Sequence, residues 1–264
     1  MPSPERIAHT PELSALAKVP AVTLGFWIIK ILATTLGETG GDTLSMTYDL
    51  GYLASSAVFV VPLVLLIWAQ IRAVRFRPLL YWATIIASTT AGTTMADFAT
   101  RSLGIGYTGG SVLLLGCVLV SLLAWRSTTG TIAVESVAST RSELFYWVTI
   151  TFSQTLGTAL GDWAADDGGL GYLGGTLVFG GALFALVALL RFTALSRVAL
   201  FWTAFILTRP LGATVGDFLD KPLAKGGLDL SRPIASAVLV IAIIALIVVL
   251  PQRAGSKPAA AAPG

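Results

Sequence analysis

Residues Phe26–Asp42 read FWIIKILATTLGETGGD, a largely apolar stretch that begins beside a tryptophan and ends in an aspartate. The same order of residues returns three more times. The repeated tryptophans are Trp27, Trp82, Trp147 and Trp202. A glycine lies ten residues after each tryptophan, at Gly37, Gly92, Gly157 and Gly212. A small residue follows at Gly41, Ala96, Gly161 and Gly216, and then an aspartate at Asp42, Asp97, Asp162 and Asp217. This register predicts four copies of one structural unit.

The four copies also form two related pairs. Thr35-Leu36-Gly37 matches Thr155-Leu156-Gly157, and Asp97-Phe98 matches Asp217-Phe218, both at an offset of 120 residues. We therefore predict two pseudo-symmetric halves, each made of two repeats. The predicted boundaries are an N-terminal segment at 1–18, a first half at 19–126, a linker at 127–143, a second half at 144–250 and a disordered tail at 251–264.

The composition indicates a membrane protein. Of the 264 residues, 55% are apolar and only 12% are charged, whereas soluble domains carry about 25% charge. Eight apolar runs occur at about 19–37, 52–69, 79–96, 111–125, 144–160, 174–190, 198–216 and 233–250. Several reach the roughly 17–25 residues that cross a bilayer. We predict an all-α integral membrane protein with eight transmembrane helices, two from each of four parallel repeats.

The distribution of basic residues predicts the orientation of these helices. Arg72, Arg75 and Arg77 share one loop, and the later loops on that side are basic as well, whereas the opposite loops hold fewer basic residues. By the positive-inside rule, both termini are expected in the cytoplasm and the four tryptophans at the cytoplasmic interface. Each aspartate would then lie about 22 Å further along its helix, in the outer half of the membrane.

Several kinds of chemistry are disfavoured by the residues present. Cys117 is the only cysteine and His9 the only histidine, which argues against disulfides, zinc sites and histidine-based catalysis. The net charge of +3 is assigned to topology and not to nucleic-acid binding. Intramembrane aspartyl proteases need a Gly-x-Gly-Asp turn, and Thr39, Ala159 and Thr214 occupy its first position. We predict no enzymatic activity and no cofactor.

Three stretches carry a resemblance to a known family. They are Phe26-Trp27-Ile28-Ile29-Lys30, Thr35–Asp42 and Thr208-Arg209-Pro210-Leu211-Gly212-Ala213. They resemble a family of bacterial inner-membrane proteins with four tandem repeats of unknown function, each repeat having two membrane segments and a characteristic tryptophan. The resemblance extends over residues 18–253. It implies a location in the bacterial inner membrane and supplies no activity.

The repeated aspartates are the candidate functional residues. Residues three, four, seven and eight positions before an aspartate share its helix face. These positions contribute Glu38, Thr35, Thr39, Thr90, Thr94, Thr155 and Thr158. A carboxylate within the bilayer costs about 2.5–3.5 kcal/mol on insertion scales and commonly marks an ion or proton path. We predict a cation site formed by these oxygens, with the four aspartates as metal ligands. The alternative is that each aspartate caps the loop that follows it.

Two basic residues accompany the acids. Lys30 shares the face of Glu38, and we expect it to extend to the cytoplasmic surface or to line the path. Arg209 lies near the middle of its helix, and we predict that it pairs with Glu38 or with a repeat aspartate as a gate or a counter-ion. Pro210 predicts a kink or break in this helix.

These residues favour transport of a divalent cation, Mn²⁺ or Mg²⁺, because such ions prefer oxygen ligands. Two alternatives stay open. A proton-coupled transporter of a small organic solute would use the acids for protons and Arg209 for an anionic group, and a cation channel would use the acids as a selectivity ring. The expected partners are the lipid bilayer and the transported cation, and a homo-oligomer is left open.

Overall fold

The computed structural model describes residues 17–255, and within them eight α-helices of 18 to 24 residues form the molecule. They are α1 (Leu24–Asp42), α2 (Tyr52–Arg72), α3 (Pro78–Asp97), α4 (Gly106–Thr129), α5 (Thr140–Asp162), α6 (Gly171–Phe192), α7 (Arg197–Asp220) and α8 (Arg232–Val249). All eight match an apolar run of the sequence. Most of the predicted N-terminal segment (1–18) and of the predicted disordered tail (251–264) lies outside the described residues.

The predicted linker 127–143 is too long at both ends. The helix α4 continues to Thr129 and stops at Gly130, whose φ of +77° suits a residue without a side chain. The helix α5 already begins at Thr140, because Ser139 and Ser142 form a reciprocal capping box at its start. Only a short stretch with one 3₁₀ turn at Val134–Ser136 separates the two halves.

The four odd-numbered helices form a closed inner ring, in which α1 contacts α3, α3 contacts α5, α5 contacts α7, and α7 returns to α1. Their contacts have a parallel register: Gly37 and Gly41 of α1 face Thr89 and Thr93 of α3. Helices α5 and α7 meet in the same way. The inner helices therefore all run in one direction, as the sequence predicts.

The small-residue stripe allows these helices to approach closely. A Cβ atom added to Gly157 would overlap the stem of Arg209, and one added to Gly212 would overlap Thr34. In every repeat, the glycine ten residues after the tryptophan contacts a residue of the next repeat. That residue lies seven positions after the tryptophan of its own repeat. Such columns of small residues allow the backbones of membrane helices to approach closely.

The even-numbered helices surround the ring, and each packs on the following repeat. Helix α2 packs on α3, α4 on α5 and α6 on α7, and α8 closes the circle by packing on α1. The outer helix of each repeat therefore covers the inner helix of the next repeat. The N- and C-terminal segments meet beside this last junction, where Pro20 and Ala254 form an antiparallel bridge.

The outer surface of the molecule is apolar. Val61 and Leu65 of α2, Leu123 of α4 and Phe184 of α6 are among many exposed large hydrophobic side chains, which a soluble monomer would not display so widely. Five helices, α2, α4, α6, α7 and α8, are long and apolar enough to cross a membrane. Helices α1, α3 and α5 fall short of that criterion because they carry the polar residues that face the ring interior.

One end of the ring is closed by aromatic residues and can be called the tryptophan end. Tyr81 and Tyr146 share a hydroxyl–hydroxyl hydrogen bond of 2.6 Å. The indole of Trp82 donates to Gln252 Oε1 and that of Trp202 to the Ile132 carbonyl. Three of the four repeat tryptophans are buried, so their rings pack inside the bundle and do not form an exposed aromatic belt; their level at the cytoplasmic interface stays a prediction. The indole N–H groups of Trp82 and Trp202 bind the C-terminal segment and the linker.

Candidate functional site

The inner helices present one residue to the ring interior at every fourth position. We name the four resulting layers after their most distinctive member, starting from the tryptophan end. The lysine layer is Lys30, Ile85, Ile150 and Phe205, and the arginine layer is Thr34, Thr89, Gln154 and Arg209. The glutamate layer is Glu38, Thr93, Thr158 and Ala213, and the aspartate layer is Asp42, Asp97, Asp162 and Asp217. Each of these sixteen residues exposes 2% or less of its surface.

Two basic side chains bridge the aspartate layer. Arg101 lies 3.0 Å from Asp97 and 3.1 Å from Asp162. Lys221 lies 2.5 Å from Asp42 and 2.9 Å from Asp217. Each bridge joins one repeat to another, and the two bridges are related by the same offset of 120 residues as the two halves. The sequence pattern treats Arg101 and Lys221 as loop residues and does not predict these contacts.

A further acidic residue extends the site beside the second bridge. Asp220 lies 3.2 Å from Arg232 Nε and 4.0 Å from Lys221 Nζ. Arg232 also approaches Asp42 at 3.8 Å. Asp220 is buried and belongs to no repeated column, which is why the repeat analysis does not find it.

Lys221 follows the last residue of α7 and is nearly buried among three carboxylates. Burial lowers the pKa of Lys221, but the charges of Asp217, Asp42 and Asp220 more than offset this and raise it well above its ordinary value. The side chain therefore remains a cation while these aspartates are ionised.

The junctions between the aspartates and the following loops are irregular. Helices α1, α3 and α5 end at their aspartates and continue as π-helical turns, Thr43–Thr47, Phe98–Ser102 and Trp163–Asp167. The fourth copy lacks this turn, and α7 continues regularly to Asp220. Such π turns inside helices often accompany functional sites.

Arg209, in the fourth repeat, contacts a side chain of each of the other three repeats in the ring interior. Its Nη2 atom lies 2.9 Å from Glu38 Oε2, 2.6 Å from Thr93 Oγ1 and 2.5 Å from Thr158 Oγ1, and these three acceptors share its two hydrogens. The predicted pairing of Arg209 with Glu38 is confirmed. The predicted break at Pro210 is wrong, since α7 runs without interruption from Arg197 to Asp220.

Lys30 lies inside the bundle and does not reach its surface. Its Nζ atom donates to Thr208 Oγ1 at 3.3 Å and sits 4.2 Å from the centre of the Phe205 ring. The expectation that Lys30 extends to the cytoplasmic surface is therefore wrong. The side chain points towards α7, where Phe205 and Thr208 hold it.

Most of the predicted threonine ligands bond to their own helices. Thr35, Thr90 and Thr155 each donate to the carbonyl four residues earlier, and Thr94 to the carbonyl three residues earlier. Such back-bonding is common for threonine in helices. Thr39 donates weakly to Leu36 O and accepts from Ser236. Among these predicted threonines, Thr158 contacts a charged side chain, and so does Thr93, which lies four positions before Asp97 on the same predicted face.

Two groups of carboxylates are close enough to share a metal ion. Oxygens of Glu38, Asp162 and Asp217 lie within 4.8 Å of one another, and so do oxygens of Asp42, Asp217 and Asp220. Asp217 belongs to both groups. Asp97 belongs to neither and is held by Arg101. The four repeat aspartates thus have different surroundings, and Glu38 and Asp220 join them in a cluster of six acids.

Charge counting defines what this cluster can hold. Its six carboxyl groups are those of Glu38, Asp42, Asp97, Asp162, Asp217 and Asp220. Its four basic groups are those of Arg101, Arg209, Lys221 and Arg232. With all groups ionised, two negative charges remain in a buried environment. One divalent cation or two protons would neutralise them.

Comparison with known families gives the same repeat boundaries as the structure. The model of one family matches residues 25–76, 80–131, 145–195 and 200–252, so each match contains one inner helix and the outer helix after it. No curated protein and no solved structure is similar to this chain. The four matches cover most of the sequence, and the chain therefore belongs to the family described as Repeat of Unknown Function (DUF347).

Proposed function

We propose that this protein is a bacterial inner-membrane transporter of a divalent cation, Mn²⁺ or Mg²⁺. In this proposal all eight helices cross the bilayer and both termini are cytoplasmic. The apolar outer helices face lipid and shield the polar inner ring, which allows α1, α3 and α5 to span despite their acidic residues. The tryptophan end then faces the cytoplasm and the aspartate layer the outside.

The buried excess of carboxylates over basic groups is the observation that carries the proposal. A carboxylate without a compensating charge is costly to bury, and two such charges remain in this cluster. Carboxylate oxygens without sulfur or imidazole suit hard divalent cations. The transported ion is thus the natural occupant, with Glu38, Asp162 and Asp217 or Asp42, Asp217 and Asp220 as its ligands.

Arg101 and Lys221 act in this proposal as tethered competitors of the transported ion. Both lie beyond the ends of the inner helices and neutralise the aspartates from the outer side. An entering cation would displace one of them, and its departure would let the basic side chain return. Arg209 holds Glu38 from below and separates the acids from the lysine layer.

The closed tryptophan end favours a carrier over a channel. Below the acids, the ring interior is filled by Ile85, Ile150 and Phe205 and then by the aromatic cluster around Tyr81 and Tyr146. A channel needs a continuous polar path, whereas a carrier needs a site that opens to one side at a time. Flux that saturates with ion concentration distinguishes the two.

Proton-coupled transport of a small organic solute is the second candidate. It is favoured by Arg209, which uses only Nη2 for hydrogen bonds to other described residues. Its remaining N–H groups could receive an anionic group of the solute. In that case the two excess negative charges would be neutralised by protons.

Flux into proteoliposomes tests the proposal. We expect saturable Mn²⁺ or Mg²⁺ uptake by the wild type and at least a tenfold loss in Asp42→Asn and in Asp162→Asn. The matched control is Asp49→Asn, because Asp49 is an exposed loop aspartate with a φ of +54° that asparagine tolerates. Absence of ion flux in the folded wild type would contradict the proposal and favour the organic solute.

A further inference from the structure

The arginine layer lies next to the glutamate layer, on the side of the tryptophan end, and its charged residue is basic. It contains the fully buried Arg209, and the fully buried Lys30 lies in the adjacent lysine layer; among the described residues, Glu38 is the one carboxylate paired with either of these basic residues. Lys30 has Thr208 as its hydrogen-bond partner and the Phe205 ring as its neighbour. Lys30 is not among the four basic groups that offset the six acids, so once a divalent cation or two protons neutralise that cluster, the charge of Lys30 remains without an anion.

The same layer contains polar atoms without partners among residues 17–255. They are Arg209 Nε and Nη1, both amide atoms of Gln154 and the hydroxyl of Thr89. All three residues are 0% exposed. Buried polar atoms almost always have a partner in the protein or in a bound molecule. Several such atoms in one layer indicate a bound molecule.

The three residues belong to neighbouring helices of the ring. The stem of Arg209 packs on Gly157 of α5, one turn after Gln154. Gln154 in turn packs on Gly92 of α3, one turn after Thr89. They therefore follow one another around the interior at the same height. This close packing restricts the bound molecule to a few atoms.

Charge distinguishes an anion from water as that molecule. Water would satisfy individual N–H groups but would leave the positive charge of Lys30, which has no carboxylate partner among the described residues, uncompensated. A monoanion accepts hydrogen bonds from the free N–H groups of Arg209 and Gln154, though not from the acceptor Gln154 Oε1, and it also balances the charge of Lys30. A divalent cation is excluded from this layer by the same two basic residues.

We propose that the arginine layer is a binding site for a small monoanion of the size of chloride or formate, held by Arg209, Lys30 and Gln154. The inference goes beyond cation transport, since it adds a second site of opposite charge below the acids. Because the two sites share the Arg209–Glu38 pair, the anion would stabilise the closed arrangement of the ring.

Direct binding to the purified full-length protein tests this site. We would measure ³⁶Cl⁻ and [¹⁴C]formate binding by scintillation proximity in detergent, with gluconate maintaining the ionic strength and no divalent cation present. We expect saturable binding of one anion per chain. Lys30→Met and Gln154→Leu should each weaken it at least tenfold, and Arg209→Gln should abolish it. Thr90→Val is the control, because that hydroxyl bonds to its own helix.

The outcomes separate this site from the cation site. Lys30→Met keeps the Arg209–Glu38 ion pair and thus tests the charge requirement even where Arg209→Gln fails to fold. No saturable binding of either anion to the folded wild type would overturn the inference, as would unchanged binding in both Lys30→Met and Gln154→Leu. Neither result would bear on cation flux, which is measured independently.

Discussion

At the residue scale, the pair formed by Arg209 and Glu38 breaks the symmetry between the two halves. The residues at the equivalent positions, 120 residues away, are Thr89 and Thr158. Each inner helix offers the same backbone environment at these positions, so the repeat itself does not require an ion pair. A buried ion pair is weak evidence for stability, because removing two charges from water is costly. A functional reason for retaining it is therefore the better explanation.

Glu38→Gln should destabilise the protein, because it leaves Arg209 buried without a carboxylate. Breaking a buried pair by removing one partner costs about 3–5 kcal/mol. The double variant Glu38→Gln/Arg209→Met should recover a large part of this loss, since no unpaired charge remains. Thermal unfolding in detergent measures both effects, with the exposed Asp229→Asn as control. Additive losses in the double variant would contradict the pairing.

Arg101→Gln should strengthen cation binding if Arg101 competes with the transported ion. The variant removes the charge that lies 3.0 Å from Asp97 and 3.1 Å from Asp162. We expect the half-saturating Mn²⁺ concentration for uptake to fall roughly tenfold, equivalent to about 1.4 kcal/mol. Arg126→Gln, at an exposed position of α4, should leave it unchanged. A higher half-saturating concentration would indicate that Arg101 supports the site and does not compete for it.

At the scale of helices, the small-residue stripe determines how the ring assembles. Gly92 lies against the backbone of Gln154 and Thr155 in α5, whose atoms are 3.0 Å from the position of an added Cβ. A backbone cannot move aside as a flexible side chain can. Close parallel packing of the inner helices therefore depends on this column remaining small.

Gly92→Val should impair assembly of the inner ring. Overpacking of a tight contact costs about 1–3 kcal/mol, and here it would also separate α3 from α5. Gly116→Val is the matched control, because Gly116 lies within α4 and has no neighbour within 4 Å of an added Cβ. We expect a lower unfolding temperature and more aggregate in size-exclusion chromatography for Gly92→Val than for the control. Equal behaviour of the two variants would show that the stripe is not needed for packing.

The sequence predicts the helices well and their partners poorly. Apolar runs locate all eight helices, and the repeated columns identify the inner ones. The columns carry no information about which copy contacts which, so the packing of α2 on α3 is visible only in the structure. Arg101 and Lys221 lie four residues after their own aspartates, but the sequence pattern assigns them to loops and predicts neither of their contacts. Their second contacts, to Asp162 and Asp42, depend on ring closure.

At the scale of the whole molecule, the chain is a closed circle of four repeats. Helix α8 covers α1, and the backbone segments around Val19 and Gly255 are hydrogen-bonded to each other. Circular closure explains why the acids of four separate repeats meet at one place. It also explains the two-fold pattern of the bridges. Arg101 of the first half reaches Asp162 of the second, and Lys221 of the second half reaches Asp42 of the first.

Separation of the two halves should leave each of them incomplete. A break between Gly130 and Thr131, where Gly130 is exposed, gives one chain with α1 to α4 and another with α5 to α8. Alone, the first half would expose Glu38, Asp42 and Asp97 at the open edge of its ring, and α1 would lack the cover of α8. Burial of these carboxylates in lipid is unfavourable. We therefore expect each half alone to be degraded or to aggregate.

The two halves expressed together should associate into the intact bundle. The contacts of α3 with α5, α1 with α7, α4 with α5 and α1 with α8 all cross the break, and both ionic bridges are rebuilt only when the halves meet. An affinity tag on the first half should recover the second in a one-to-one ratio. Asp162→Lys in the second half should reduce this recovery, because it places a lysine against Arg101, whereas Asp167→Lys, at an exposed position, should not. A first half that is stable and monodisperse alone would show that the closed circle is dispensable.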